Sequence, residues 1–225
     1  MEATPQPRIK ICCISSHEEA ALAVRAGASA LGLVSAMPSG PGIIGEGLIA
    51  RIAAQVPPGV ASFLLTSLQD ADAIIAQQRR CRTNTIQLCD ELRDGGYAQL
   101  RQALPGVALV QVIHVTGPAS VDEAVRVAPD VDAILLDSGN PTLRIKELGG
   151  TGRVHDWALS RAIREAVTVP LFLAGGLTPE NVGEAIHHVG PYALDICSGV
   201  RTDGRLDAQK LTRFVEAVRA ASVAA

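Results

Sequence analysis

The run Ile9-Lys10-Ile11-Cys12-Cys13-Ile14-Ser15-Ser16 decides the fold class. It is short, mostly aliphatic and lacks strict polar–apolar alternation, which is how a parallel strand buried on both faces reads. The residues after it are equally informative. An open doubly wound sheet usually carries a glycine-rich turn after its first strand. Here the strand runs out in Cys-Cys-Ile-Ser, and the glycine-rich turns come only late in the chain. Ser16-His17-Glu18-Glu19 reads as a capping box that opens a helix, with Ala20, Ala21, Ala23 and Val24 as its apolar stripe and Gly27 as its stop.

Seven more apolar runs occur at 30–34, 60–65, 85–88, 108–115, 133–136, 170–174 and 193–196, and helical patterns lie between them. Thr178-Pro179-Glu180 predicts an N-cap followed by proline at the first helical position. Residues 209–221 predict a last helix with Leu211, Phe214, Val215 and Val218 on one face. Strand–helix alternation repeated eight times predicts an α/β fold, a single-domain (β/α)8 TIM barrel over 9–221, preceded by a loosely ordered or disordered tail over 1–8.

The bulk properties fit a barrel enzyme and exclude several other classes. The 225 residues suit one barrel near the lower end of its size range. Hydrophobic residues make up 48% and aromatics only 3%, so the core must be aliphatic. A net charge of -3 with no basic tract argues against a nucleic-acid partner. The five cysteines are odd in number and lack CxxC spacing, which argues against a disulfide framework or a structural zinc and for reduced thiols in the cytoplasm. No apolar run is long enough to span a membrane, and 1–8 has no signal-peptide core.

In a barrel the active site lies at the C-terminal ends of the strands. Cys12 sits there on the first strand, either as an apolar filler or as a thiol that can serve as a base. Asp137 ends the sixth strand, as a loop anchor or as a carboxyl that is used. Gly149-Gly150-Thr151-Gly152, Ala174-Gly175-Gly176-Leu177 and Ser198-Gly199 come after the last three strands. Backbone N–H groups in such turns can approach an anion closely, so together they suit a phosphate monoester. Lysine is scarce, with only Lys10, Lys146 and Lys210, which disfavours Schiff-base chemistry. His187-His188 reads as helix surface, while His114 and His155 stay open.

Taken together, these segments resemble the phosphoribosylanthranilate isomerase family. Lys10-Ile11-Cys12 is similar to the family's opening Lys-Ile-Cys-Gly, and Gln87-Leu88 to the start of its Gln-Leu-His-Gly. Leu135-Leu136-Asp137-Ser138, the 149–152 block with Asp156-Trp157, Leu173 through Val182, and Asp195 with Ser198-Gly199-Val200 carry the rest of the likeness. The resemblance implies an intramolecular oxidoreductase that performs an Amadori rearrangement on a small phosphorylated sugar. It implies Cys12 as general base and Asp137 as general acid. Phosphate would be bound by Gly150, Gly152, Gly175, Gly176, Ser198 and Gly199, and substrate positioned by Gln87, Cys89, Asp195 and Arg201. No cofactor or metal is expected; a homodimer is a possible assembly.

Some positions depart from the family pattern. The Ser-Pro-Arg after the second strand is replaced by Met37-Pro38-Ser39-Gly40-Pro41-Gly42, and the histidine after Gln-Leu by Cys89. Cys13 stands for glycine, Arg201 for glutamate, and Cys197 where serine is common. The lost arginine would have gripped an aromatic carboxylate. Two readings accommodate its loss: Arg201 or another loop arginine compensates, or the chain is a paralogous isomerase of another phosphorylated aminosugar or ketose. A phosphate-binding barrel without catalysis is the remaining alternative.

Overall fold

Each of the eight apolar runs becomes a strand: β1 (Arg8–Ile11), β2 (Ala30–Val34), β3 (Ala61–Thr66), β4 (Thr85–Leu88), β5 (Ala108–His114), β6 (Ala133–Asp137), β7 (Leu171–Leu173) and β8 (Ala193–Ile196). The computed structural model describes residues 6–150 and 152–223, and in it these strands pair in parallel, in sequence order, into a closed barrel. Eight helices alternate with them: α1 (His17–Ala26), α2 (Glu46–Ala53), α3 (Ala71–Cys81), α4 (Tyr97–Ala103), α5 (Ala119–Val127), α6 (Trp157–Ala166), α7 (Val182–Val189) and α8 (Ala208–Val223). Closure joins the first strand to the last, with Lys10 beside Asp195 and Ile11 beside Ile196.

Side-chain alternation along each strand explains two separate cores. Ile9, Ile11, Leu31, Leu33, Leu64, Ile86, Leu136 and Leu194 pack outward against the helices. The residues of opposite parity, including Cys12, Ala30, Val34, Phe63, Leu65, Cys89, Val112, Leu135 and Ala193, fill the barrel itself. Both faces of every strand are therefore buried, which is why the sequence lacked polar alternation.

Local signals place the helices. The Ser16 hydroxyl accepts from the Glu19 amide at 3.2 Å, and Gly27 ends α1 in the left-handed region at φ 100°. Three expectations need correction. Arg8 already belongs to β1, paired with Ala193, and Pro7 is buried, so the tail expected over 1–8 does not extend to Arg8; residues 1–5 lie outside the described part. Thr178-Pro179-Glu180 forms a turn ahead of the helix rather than its first residues. The Thr178 hydroxyl accepts from the Glu180 amide, and α7 starts at Val182 with Asn181 as its N-cap. The last helix reaches Val223, two residues beyond the predicted end.

Candidate active site

Barrel parity also sets the polar residues. Lys10, Cys12, Gln87, Cys89, Asp137, Asp195 and Cys197 all occupy inward-facing positions of their strands or the residue just beyond. Counting outward from any strand start by twos lands on them, because successive Cβ atoms alternate faces.

A cavity of about 700 Å³, counting its open mouth, lies at the C-terminal ends of the strands. Cys12 and Asp137 both line it, as do Gln87, Cys89, Asp195, Gly150, Gly152, Gly175, Gly176 and Ser198. Ten of the expected site residues thus meet in one pocket. The four glycines among them all have left-handed φ angles, and Thr151 between two of them lies outside the described residues. The loop between β2 and α2 supplies Met37, Ser39, Gly40 and Pro41 to the same wall, held there by the Ser39 hydroxyl donating to the Lys146 carbonyl at 2.6 Å.

Asp137 keeps partial exposure toward the pocket but is closely surrounded by protein, and burial pushes its carboxyl up to about 6. The Ser138 amide, donating to Oδ1 at 2.7 Å, opposes that shift, and the charge of Asp195 adds to it. Gly149 lets the backbone pass directly over the other oxygen. A Cβ there would sit 2.7 Å from Asp137 Oδ2, and its φ of 139° suits no other residue.

Beneath Cys12 lies a group that sequence reasoning passed over. Lys10 is wholly buried and donates to Asp195 Oδ2 at 2.7 Å. Burial alone would lower its pKa; the charges of Asp195 and then Cys12 outweigh that and raise it, so the ammonium stays protonated. Gly32 on β2 leaves the room: a Cβ there would lie 2.9 Å from the Cys12 sulfur and 3.3 Å from Lys10 Nζ, so ammonium and thiol flank the same space. A lysine two residues before Cys12 in an otherwise apolar strand was the available signal.

Two expected site residues do not reach the pocket. Arg201 is not among its lining residues. Its guanidinium donates to the Cys13 carbonyl at 2.6 Å, the Cys12 carbonyl at 3.1 Å and the Glu19 carboxylate at 3.0 Å. Burial raises the Glu19 carboxyl, but Arg201 and the Leu206 and Ser15 amides outweigh it and hold that group below its ordinary value. Arg201 therefore clamps the β1–α1 loop to the end of β8 and is not free to replace the missing arginine. Gly199 is likewise not among the lining residues, although Ser198 before it is. It packs against the Leu177 carbonyl, which leaves no room for a Cβ, so only glycine fits there. His114 bonds the Cys89 carbonyl at 3.0 Å and supports the end of β4 without lining the cavity, and His187 and His188 are both on α7, with His188 exposed.

The family model for N-(5'-phosphoribosyl)anthranilate isomerase matches residues 9–217, nearly the whole barrel. The chain belongs to the phosphoribosylanthranilate isomerase family. It is 37% identical over 210 residues to N-(5'-phosphoribosyl)anthranilate isomerase 2 of Methanosarcina mazei, covering 92% of each chain. It is 34% identical to the enzyme of that name from Methanocella arvoryzae, covering 94% of this chain and 98% of that one. Among solved structures, the phosphoribosyl anthranilate isomerase of Thermotoga maritima superposes with a TM-score of 0.79 at 28% identity, over 95% of this chain and 99% of that one. Another, at TM-score 0.77, 26% identity and the same coverage, is a phosphoribosyl anthranilate isomerase in complex with reduced 1-(o-carboxyphenylamino)-1-deoxyribulose 5-phosphate. Among the described residues no helix is long and apolar enough to cross a membrane.

Proposed function

We propose that this family member rearranges N-(5'-phosphoribosyl)anthranilate to 1-(2-carboxyphenylamino)-1-deoxyribulose 5-phosphate in the cytoplasm. The observation that carries the reading is one pocket holding Cys12, Asp137 and the glycine turns after β6 and β7 together. Asp137, with a carboxyl near 6, keeps a useful fraction of its proton near neutrality and donates it to the furanose oxygen as the ring C1–O bond breaks. The iminium formed at C1 makes the C2 proton acidic. The Cys12 sulfur accepts that proton, the C2–H electrons form the C1=C2 bond of an enolamine, and ketonisation gives the aminoketose. Lys10 keeps a positive charge beside Cys12 throughout. The phosphate, anchored at Gly150, Gly152, Gly175, Gly176 and Ser198, holds the sugar so that both groups reach their atoms.

Complementation tests it. The gene should restore growth without tryptophan to a strain lacking this isomerase, and the purified protein should turn over phosphoribosylanthranilate. Failure of both rejects the reading. A homodimer is proposed as the assembly because one solved relative is described as monomers of a dimeric phosphoribosylanthranilate isomerase from Thermotoga maritima; light scattering in solution decides it.

One observation favours a second reading. Among the described pocket-lining residues none is Lys, Arg or His, so no side chain there offers a fork for an aromatic carboxylate. A paralogue acting on another phosphorylated aminosugar fits that lining. A substrate analogue lacking the ring carboxylate separates the two: equal kcat/KM favours the paralogue, and a preference of tenfold or more for the carboxylate excludes it.

A further inference from the structure

Two thiols at the pocket mouth take no part in the proton transfers. Cys13, just past β1, and Cys197, just past β8, bring their sulfur atoms to 2.7 Å, closer than unbonded sulfurs ordinarily rest. A disulfide at about 2.05 Å needs little further approach. The backbone around Cys13 is held in one place. Cys13 holds a left-handed φ of 62° that a non-glycine residue seldom adopts, and Arg201 Nη2 fixes its carbonyl at 2.6 Å. The Cys12 amide ties the same segment to the Ile196 carbonyl at 2.8 Å. Cys197 is partly exposed and both thiols line the cavity, so a small oxidant can reach them.

We infer that Cys13 and Cys197 are a reversible disulfide site that staples the β1–β8 seam when the protein meets a peroxide, leaving Cys12 as a free thiol. Cys197 is the attacking sulfur: its hydrogen bond with Cys13 and the nearby Arg201 charge hold its thiol below the ordinary value, while hydrogen bonding to Cys12 and Cys197, with burial, pushes Cys13 up. Its thiolate attacks one peroxide oxygen; the O–O bond breaks, the sulfur becomes a sulfenic acid, and the other oxygen leaves as hydroxide (or alkoxide) and takes a proton from solvent. The Cys13 sulfur then attacks the sulfenic sulfur, the S–S bond forms, the S–O bond breaks, and the oxygen leaves as water with the Cys13 proton. Two thiols are oxidised and one peroxide is reduced. A Cys12–Cys13 bridge is disfavoured because consecutive Cα atoms lie about 3.8 Å apart, short of the roughly 4.4 Å minimum for an unstrained disulfide. The staple links residues 184 apart and so removes much freedom from the unfolded chain.

The Cys13–Cys197 contact is the same whichever sugar phosphate is turned over. The test treats the full chain with a small excess of hydrogen peroxide, removes the peroxide, alkylates free thiols with iodoacetamide in guanidinium so that the buried ones react too, reduces, labels with N-ethylmaleimide and maps peptides by mass. Cys13 and Cys197 should carry the second label, and Cys12, Cys81 and Cys89 the first. The Tm should rise by about 5–10 °C and return with dithiothreitol. Cys197→Ser and Cys13→Gly should each abolish both effects. An absent bridged peptide, a bridge that includes Cys12, or a Tm rise that survives in either variant overturns the inference.

Discussion

Lys10 on β1 and Asp195 on β8 are register partners across the closing seam of the barrel, with Nζ 2.7 Å from Oδ2 and both side chains shielded from solvent. The other carboxylate oxygen, Oδ1, is buried without a hydrogen-bond partner among the described residues, and Asp195 lines the cavity. The pair thus supports the floor of the site in two ways. It keeps an ammonium beside Cys12, and at Asp137 the Asp195 charge favours the protonated carboxyl while the Lys10 charge opposes it.

Removing one member should be more harmful than removing both. Lys10→Met leaves Asp195 charged and buried, and is expected to destabilise the fold by about 3–5 kcal/mol in urea unfolding. Lys10→Met combined with Asp195→Leu should recover most of that stability without recovering activity. A double variant no more stable than the single one contradicts the pairing.

Cys12→Ala and Asp137→Asn should each lower kcat by at least about a hundredfold, the usual scale for acid–base groups, with normal folding by circular dichroism. Steady-state assays on both variants check the assignment. Unchanged rates in both remove the proposed pair from the mechanism.

The raised Asp137 carboxyl has two consequences, and both set in as pH rises through about 6. As the acid it must be protonated, so kcat/KM should fall as pH rises through about 6. For stability, the folded state holds this proton more tightly than the unfolded chain, whose pKa is near 3.8. Its contribution is therefore fully present below that value and is lost as pH rises through about 6. Asp137→Asn should be more stable than the parent at pH 8 while nearly inactive. A flat kcat/KM between pH 5 and 8 contradicts the acid role.

Arg201→Met separates a structural clamp from a substrate ligand. The Arg201–Glu19 pair is almost wholly buried, so losing the arginine should destabilise by about 3 kcal/mol or more. The carbonyls of Cys12 and Cys13 lose their donor, so kcat should fall through misplacement of the base. A normal Tm with a selectively raised KM would instead show that the residue grips substrate.

Sequence periodicity already determined that this chain is a barrel. Each strand is a local apolar run whose two faces both demand burial, and eight of them alternating with helices leave few alternatives. The same local logic placed Cys12, Asp137 and the glycine turns after β6 and β7, because a residue just past a strand must lie at the C-terminal rim. Arg201 and Gly199 lie just past β8 as well, yet closure gave them structural work: one is drawn to Glu19 and the β1 carbonyls, the other pressed against Leu177.

Lys10–Asp195, Cys13–Cys197 and Glu19–Arg201 were decided only by the tertiary structure. Each joins residues more than 180 positions apart, and each forms because β8 closes onto β1 in one particular register. Periodicity tells which way a side chain points within its own strand. It carries no information about which residue of a distant strand stands alongside, and a shift of two positions would satisfy the same pattern while exchanging every partner.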